Sequence, residues 1–217
     1  MYNKIKSDFE ALRSEAHAAW MSAYMRNKFQ FYGIPARLRR ECCKDILKAA
    51  KRSCCVDREF LRLCWNDRHR EFQYVALDYL FAVRGMLVFE DVPLLEKFVR
   101  SKPWWDTIDA LDRIIGGISF PDVRIDKLML SWACDDDLWV RRVAIDHQHG
   151  RKENTNTELL AKIIKMNFGS SEFFINKAIG WSLREYSKTD SNWVRKFLND
   201  YGSRMNRLSI NEASKYI

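Results

Sequence analysis

The chain has 217 residues, a formal net charge of +8, and 30% charged against 47% hydrophobic residues. These values exclude a disordered chain and suit one folded domain or continuous array with a substantial core. No apolar run nears the roughly 20 residues that cross a bilayer, and the basic balance favours an anionic partner without naming it.

The N-terminal stretch "MYNKIKSDFEALRSEAHAAW" is charged and helically periodic, unlike a secretory leader, so a cytoplasmic protein with no membrane partner is expected. Residues 1–66 read as helices, with "FYGIP" (31–35) a turn and Pro35 at a helix start. Cys42, Cys43, Cys54, Cys55, Cys64 and Cys134 include two adjacent pairs and no C-x-x-C spacing, and only four histidines accompany them. They read as reduced, small apolar residues, and no metal site is expected.

From residue 68 the chain repeats. "RHREFQYVALDYL" (68–80), "KPWWDTIDALDRI" (102–114), "DDLWVRRVAIDHQ" (136–148) and "SSEFFINKAIGWS" (170–182) align without gaps, their alanines Ala76, Ala110, Ala144 and Ala178 falling 34 residues apart. Aspartate follows two positions later in the first three (Asp78, Asp112, Asp146), and Gly180 replaces it in the fourth. Between them lie second helical patterns at 90–101, 122–134 and 156–168. Asp136, Asn156 and Ser171 are expected N-caps. The expected fold is all-α, a curved α-solenoid of HEAT-like repeats in a single domain over 1–217, with a cap at 190–217. Tetratricopeptide repeats share the period, but their Trp…Leu-Gly…Tyr pattern is absent.

With the repeated alanine as zero, Trp105 stands at −5, Asp109 at −1, Arg142 at −2 and Trp181 at +3. Offsets −5, −1 and +3 are successive i, i+4 steps along one helical stripe. The same reasoning places Glu71, Tyr74, Asp78, Tyr79, Asp112, Arg113, Asp146, His147, Asn176, Lys177 and Arg184 on one wall. Aromatics interleaved with basic groups suit a nucleic-acid surface. Trp139 and Phe173 are expected to be packing residues, and Asp78 and Asp146, which recur, to make helix-to-helix bonds. His147 reads as a surface or stacking residue. Asp109 and Trp181 break their own repeat pattern, which favours a functional role.

"KPWWDTIDALD", "DLWVRRVAIDHQ" and "SSEFFINKAIGWSLREYSKTDSNWV" resemble the AlkD family of HEAT-like repeat DNA alkylation repair glycosylases, over roughly residues 22–198. The resemblance implies excision of cationic N3- and N7-alkylpurines from duplex DNA held in a concave groove, by a monomer, with no metal and no cofactor. It implies Asp109 as the catalytic carboxylate and Trp105, Trp181 and Arg142 as substrate-binding residues; Lys177, Arg184 and Arg113 are expected at the DNA backbone. Gly180 is expected to leave room beside Trp181. The stretch before "SAYMRNKF" is shorter than usual for the family, which keeps open a non-catalytic paralogue that retains the cleft. A protein scaffold is the third reading, and the basic wall argues against it.

Overall fold

A computed structural model describes residues 1–53 and 55–217; the expectation for Cys54 lies outside the described residues. Among these the chain forms thirteen α-helices and no strand, with one isolated bridge between Gln30 and His69. None of the helices is long and apolar enough to cross a membrane. The backbone groups into two compact units, Met1–Leu87 and Val88–Ile217.

The first unit holds α1 (Tyr2–Ala11), α2 (Glu15–Tyr24), α3 (Ala36–Arg52), α4 (Arg58–Asn66) and α5 (Arg70–Val83). Its core includes Ile5, Phe9, Tyr32, Phe60, Trp65, Phe72 and Leu80. The turn at 31–35 is built around a buried carboxylate. Glu71 accepts the backbone N–H groups of Tyr32 (3.1 Å), Gly33 (2.9 Å) and Ile34 (3.2 Å). Gly33 sits at φ +85°, and a Cβ there would lie 2.2 Å from the Ser14 carbonyl oxygen, so the turn admits only glycine. Glu71 therefore satisfies backbone donors instead of lining a wall. Tyr79, expected on the same wall, is buried as well, its hydroxyl accepting the Asp57 N–H at 2.9 Å. Asp78 bonds Arg39 of α3 at 3.1 Å, the helix-to-helix link expected of it. Cys42, Cys43, Cys55 and Cys64 are free thiols, as is Cys134 in the second unit, and burial pushes Cys43 up to about 12.

The second unit holds α6 (Val92–Arg100), α7 (Trp105–Gly116), α8 (Val123–Trp132), α9 (Leu138–Asp146), α10 (Thr157–Met166), α11 (Phe173–Ser187), α12 (Ser191–Tyr201) and α13 (Arg207–Ala213). The helical repeats are as the 34-residue spacing predicts. The alanine-bearing helices α7, α9 and α11 pack side by side and α13 continues the row, while α6, α8, α10 and α12 lie against them as a second layer. Ala144 and Ala178 are fully buried, which lets neighbouring helices approach; Ala110 is only half-buried. At the end of α7 the approach is closer still, since a Cβ on Gly116 would meet the His147 carbonyl oxygen at 1.9 Å.

The caps differ from expectation in two of three cases. Asn156 does cap α10, accepting the Leu159 N–H at 3.0 Å. Asp137, not Asp136, caps α9 through the Trp139 N–H at 2.8 Å, because Asp135 first turns the chain by accepting the Asp137 N–H. Helix α11 begins after Glu172 with no side-chain cap, so Ser171 has no such role.

Candidate functional site: an aromatic pocket floored by an aspartate–arginine pair

The adjacent tryptophans of "KPWWD" divide their work at the start of α7. Trp104 is the extended residue before the helix, and successive side chains of extended backbone point apart. Its ring is buried, 5.7 Å from Trp139 and 5.2 Å from Phe174 between centroids, and Trp139 and Phe174 are 4.8 Å apart. That cluster braces the ends of three helices. Trp105, the first helical residue, faces instead into a cavity of about 420 Å³.

Asp109, one helical turn on, lines the same cavity with Arg142 of α9 and Trp181 of α11. The four residues singled out in the sequence therefore meet in one place. Trp105 and Trp181 are half-buried, each with an accessible face. Arg142 is 3% exposed and committed within the protein. Its Nε donates to Asp109 Oδ1 at 2.9 Å, its Nη2 lies 2.8 Å from the same oxygen, and its Nη1 donates to the Phe174 carbonyl at 2.7 Å. Both contacts to Asp109 fall on Oδ1. The guanidinium carbon lies 5.8 Å from the Trp181 ring centre, and His149 meets that ring edge-on at 4.7 Å. Burial pushes the Asp109 carboxyl above the ordinary carboxylate range, and Arg142 opposes the rise.

The cavity mouth carries Lys177 and Arg184 of α11 and Glu212 and Lys215 from the C-terminal end. Glu212 is buried and accepts from Lys177, from Arg184 and, at 3.0 Å, from Lys215. Three cations thus gather over one carboxylate, with Lys215 exposed and Lys177 and Arg184 part-exposed. Arg113 turns back on its own helix, its Nη2 donating to the Asp109 carbonyl at 2.7 Å.

Several expectations are revised here. Phe173 is 58% exposed and lines the cavity, whereas its neighbour Phe174 joins the packed aromatic cluster. Trp139 is buried as expected. Asp112, Asp146, His147 and Asn176 are core residues, not wall residues. His147 sits with Nδ1 2.7 Å from the Ala144 carbonyl oxygen, and burial holds it down at about 3, so it is neither a surface nor a stacking group. Asp146 makes the helix-to-helix bond expected of it, accepting from Ser182 Oγ at 2.7 Å. Gly180 makes room for α13, not for Trp181. A Cβ there would lie 2.5 Å from Glu212 Cβ and 2.7 Å from the Ser209 carbonyl oxygen. Gly180→Ala is accordingly expected to cost about 1–3 kcal/mol through overpacking, measured by chemical denaturation, and to loosen the Glu212 cluster. Glu212 and Lys215 were not legible as site residues because they lie beyond the repeat, where spacing gives no phase.

The fold and this cavity define a helical-repeat protein with an aromatic, carboxylate-floored site. The chain is matched over residues 5–217 by the model of the DNA alkylation repair enzyme family, and it belongs to that family. Its role is therefore in DNA alkylation repair, with DNA as the substrate class. A solved structure described as a predicted DNA alkylation repair enzyme from Enterococcus faecalis is 34% identical, superposes with a TM-score of 0.85, and is matched over 94% of this chain and 96% of its own. That of smu.31 from Streptococcus mutans UA159 shares the fold at 15% identity and a TM-score of 0.58, over 84% of this chain and 96% of its own. No curated protein matches.

Proposed function

We propose that this protein is a DNA glycosylase that excises cationic N3- and N7-alkylpurines from duplex DNA, acting as a monomer. The observation that carries the proposal is Asp109, held by Arg142 through one oxygen at the floor of a cavity walled by Trp105 and Trp181. An alkylated purine already bears positive charge and leaves readily. As its glycosidic bond lengthens, positive charge grows on the deoxyribose, and a carboxylate placed nearby stabilises that charge and orients a water. The indole faces attract a cationic ring system or the sugar beside it.

Lys177, Arg184 and Lys215 supply the phosphate grip at the mouth of the same cavity, with Glu212 keeping them in place until phosphate displaces it. Arg113 offers a further phosphate contact once released from the Asp109 carbonyl. In the first unit, Arg40, Lys44, Lys48, Lys51 and Arg84 line a second cleft and offer further phosphate contacts.

Incubation with duplex DNA carrying N7-methylguanine is expected to release free base. Binding is expected to weaken with salt at a log–log slope of about −0.9 per phosphate contact, and Lys177→Ala and Lys215→Ala each to reduce that slope by about one contact. Binding without release of base would make the cavity a recognition site only.

A further inference from the structure

Beneath Asp109 lie two more carboxylates whose arrangement calls for a proton. Asp112 of α7 and Asp146 of α9 are both wholly buried, and oxygens of Asp109, Asp112 and Asp146 lie within 4.8 Å of one another. Asp112 Oδ1 accepts the Arg113 backbone N–H. Asp146 Oδ1 accepts from Ser182 Oγ at 2.7 Å. The remaining oxygen of each, Asp112 Oδ2 and Asp146 Oδ2, is buried and has no hydrogen-bond donor among the described residues.

The surrounding charges do not balance three ionised acids. From α9, the buried Arg142 lies 2.8 Å from Asp109 and 3.7 Å from Asp146 Oδ2. From α7, Arg113 is 3.6 Å from Asp112 Oδ1, but it is half exposed and its donors go to the Asp109 carbonyl. His147 on the same side is uncharged, and so is His149, whose Nε2 is 3.3 Å from Asp146 Oδ1; burial holds them down at about 3 and about 4. From α11 come the neutral Ser182 and, beside His149, Glu185, another acid. One buried guanidinium thus faces two wholly buried carboxylates and a third, Asp109, at the cavity floor. Unpaired buried charge is strongly unfavourable, and like carboxylates sharing a site cannot all stay ionised.

We propose that Asp112 and Asp146 share one proton, and that this neutralised pair is a positioning device which leaves Arg142 free to hold Asp109 as the working carboxylate. The significance for Asp109 rests on the glycosylase reading; the shared proton does not. A proton on Asp112 Oδ2 makes it a donor to Asp146 Oδ2, so two unpartnered acceptors become one hydrogen bond. Rotation of a carboxyl about its Cβ–Cγ bond is soft, which lets the two oxygens close on the proton. A divalent cation in the same place would press against the Arg142 guanidinium, whereas a proton does not. Burial pushes both acids up, Asp146 to about 6, and the charges of Asp146 and Asp109 push Asp112 up as well.

Infrared spectroscopy of the full-length protein at neutral pH tests this. The wild type is expected to show the carbonyl band of a protonated carboxyl, shifting on deuteration, and Asp112→Asn to lack it. Asn supplies an N–H to Asp146 where the proton stood. The folded protein binds a proton that the unfolded chain releases, so the pair's stabilisation is present at low pH and lost as pH rises through its folded value. The Tm of the wild type is therefore expected to fall from mildly acidic to mildly alkaline pH more steeply than that of Asp112→Asn. Asp112→Leu, with neither donor nor acceptor, is expected to lose base release on the order of 10-fold, and Asp112→Asn to recover part of it. A wild type without the band, or a band that persists in Asp112→Asn, would overturn the proposal. So would a rise in Tm with magnesium, manganese or calcium ions that Asp112→Asn abolishes. A protein that shows the band yet releases no base keeps the shared proton and loses the glycosylase reading.

Discussion

Asp109→Asn is expected to slow release of N7-methylguanine by on the order of 10²-fold under single-turnover conditions, a loss of about 2.7 kcal/mol in transition-state stabilisation. Asparagine keeps the size of the side chain and still offers an oxygen to Arg142 Nε, so the pocket holds its shape. What disappears is the negative charge that opposes the developing cation on the sugar. Affinity for the duplex is expected to stay equal or rise slightly, because an anion facing the backbone is removed. Trp181→Ala should behave differently, weakening lesion discrimination along with rate, since in the proposed mechanism its ring contacts the bound base in the ground state as well. Equal rates for wild type and Asp109→Asn would remove Asp109 from the chemistry and point to another source of charge stabilisation.

The extent to which this site could be read in advance follows from helical phase. Ala76, Ala110, Ala144 and Ala178 fixed the phase of four helices, and the i, i+4 steps from it carried Trp105, Asp109 and Trp181 to one face. The structure brings these three and Arg142 to one cavity. Phase alone could not say which positions of that face are covered by neighbours. Glu71 occupies the −5 position, as Trp105 does, yet it is consumed by three backbone donors of the 31–35 turn, a contact made 37 to 39 residues away. Trp139 and Phe173 also stand at −5, one buried at 8% exposure and the other open at 58%, because Trp104 and Phe174 both pack on the first, whereas Phe173 meets Phe174 edge-on at 5.2 Å and otherwise faces the cavity. Gly180 reported a tight approach, but its partner, α13, lies outside the repeat and could not be inferred from it. Local spacing thus settles which way a side chain points from its own helix; tertiary contacts settle whether solvent reaches it.

Arg142→Ala should produce the largest loss of stability of any single change in the site. The side chain is 3% exposed and holds Asp109 Oδ1 and the Phe174 carbonyl, with Asp146 Oδ2 at 3.7 Å. Its removal leaves those carboxylates buried without their cation, and breaking one side of a buried ion pair costs about 3–5 kcal/mol. For a chain of this length that corresponds to a Tm lower by roughly 6–20 °C. The deficit has a pH signature. Without Arg142, Asp109 and Asp146 in the folded state rise further above their unfolded values, so folding takes up protons. The variant's stability is then greatest at low pH and is lost as pH rises through those raised values. The gap between wild type and variant should therefore be narrow at about pH 5 and wide at about pH 8, when calorimetric Tm values are compared at the two. Arg142→Lys restores a charge but not the planar fork that spans Asp109 and the Phe174 carbonyl, so it is expected to recover only part of the loss. A deficit below about 1 kcal/mol that does not change with pH is the size expected of an exposed pair, and it would mean that in solution Arg142 lies turned out of the site instead of anchoring Asp109.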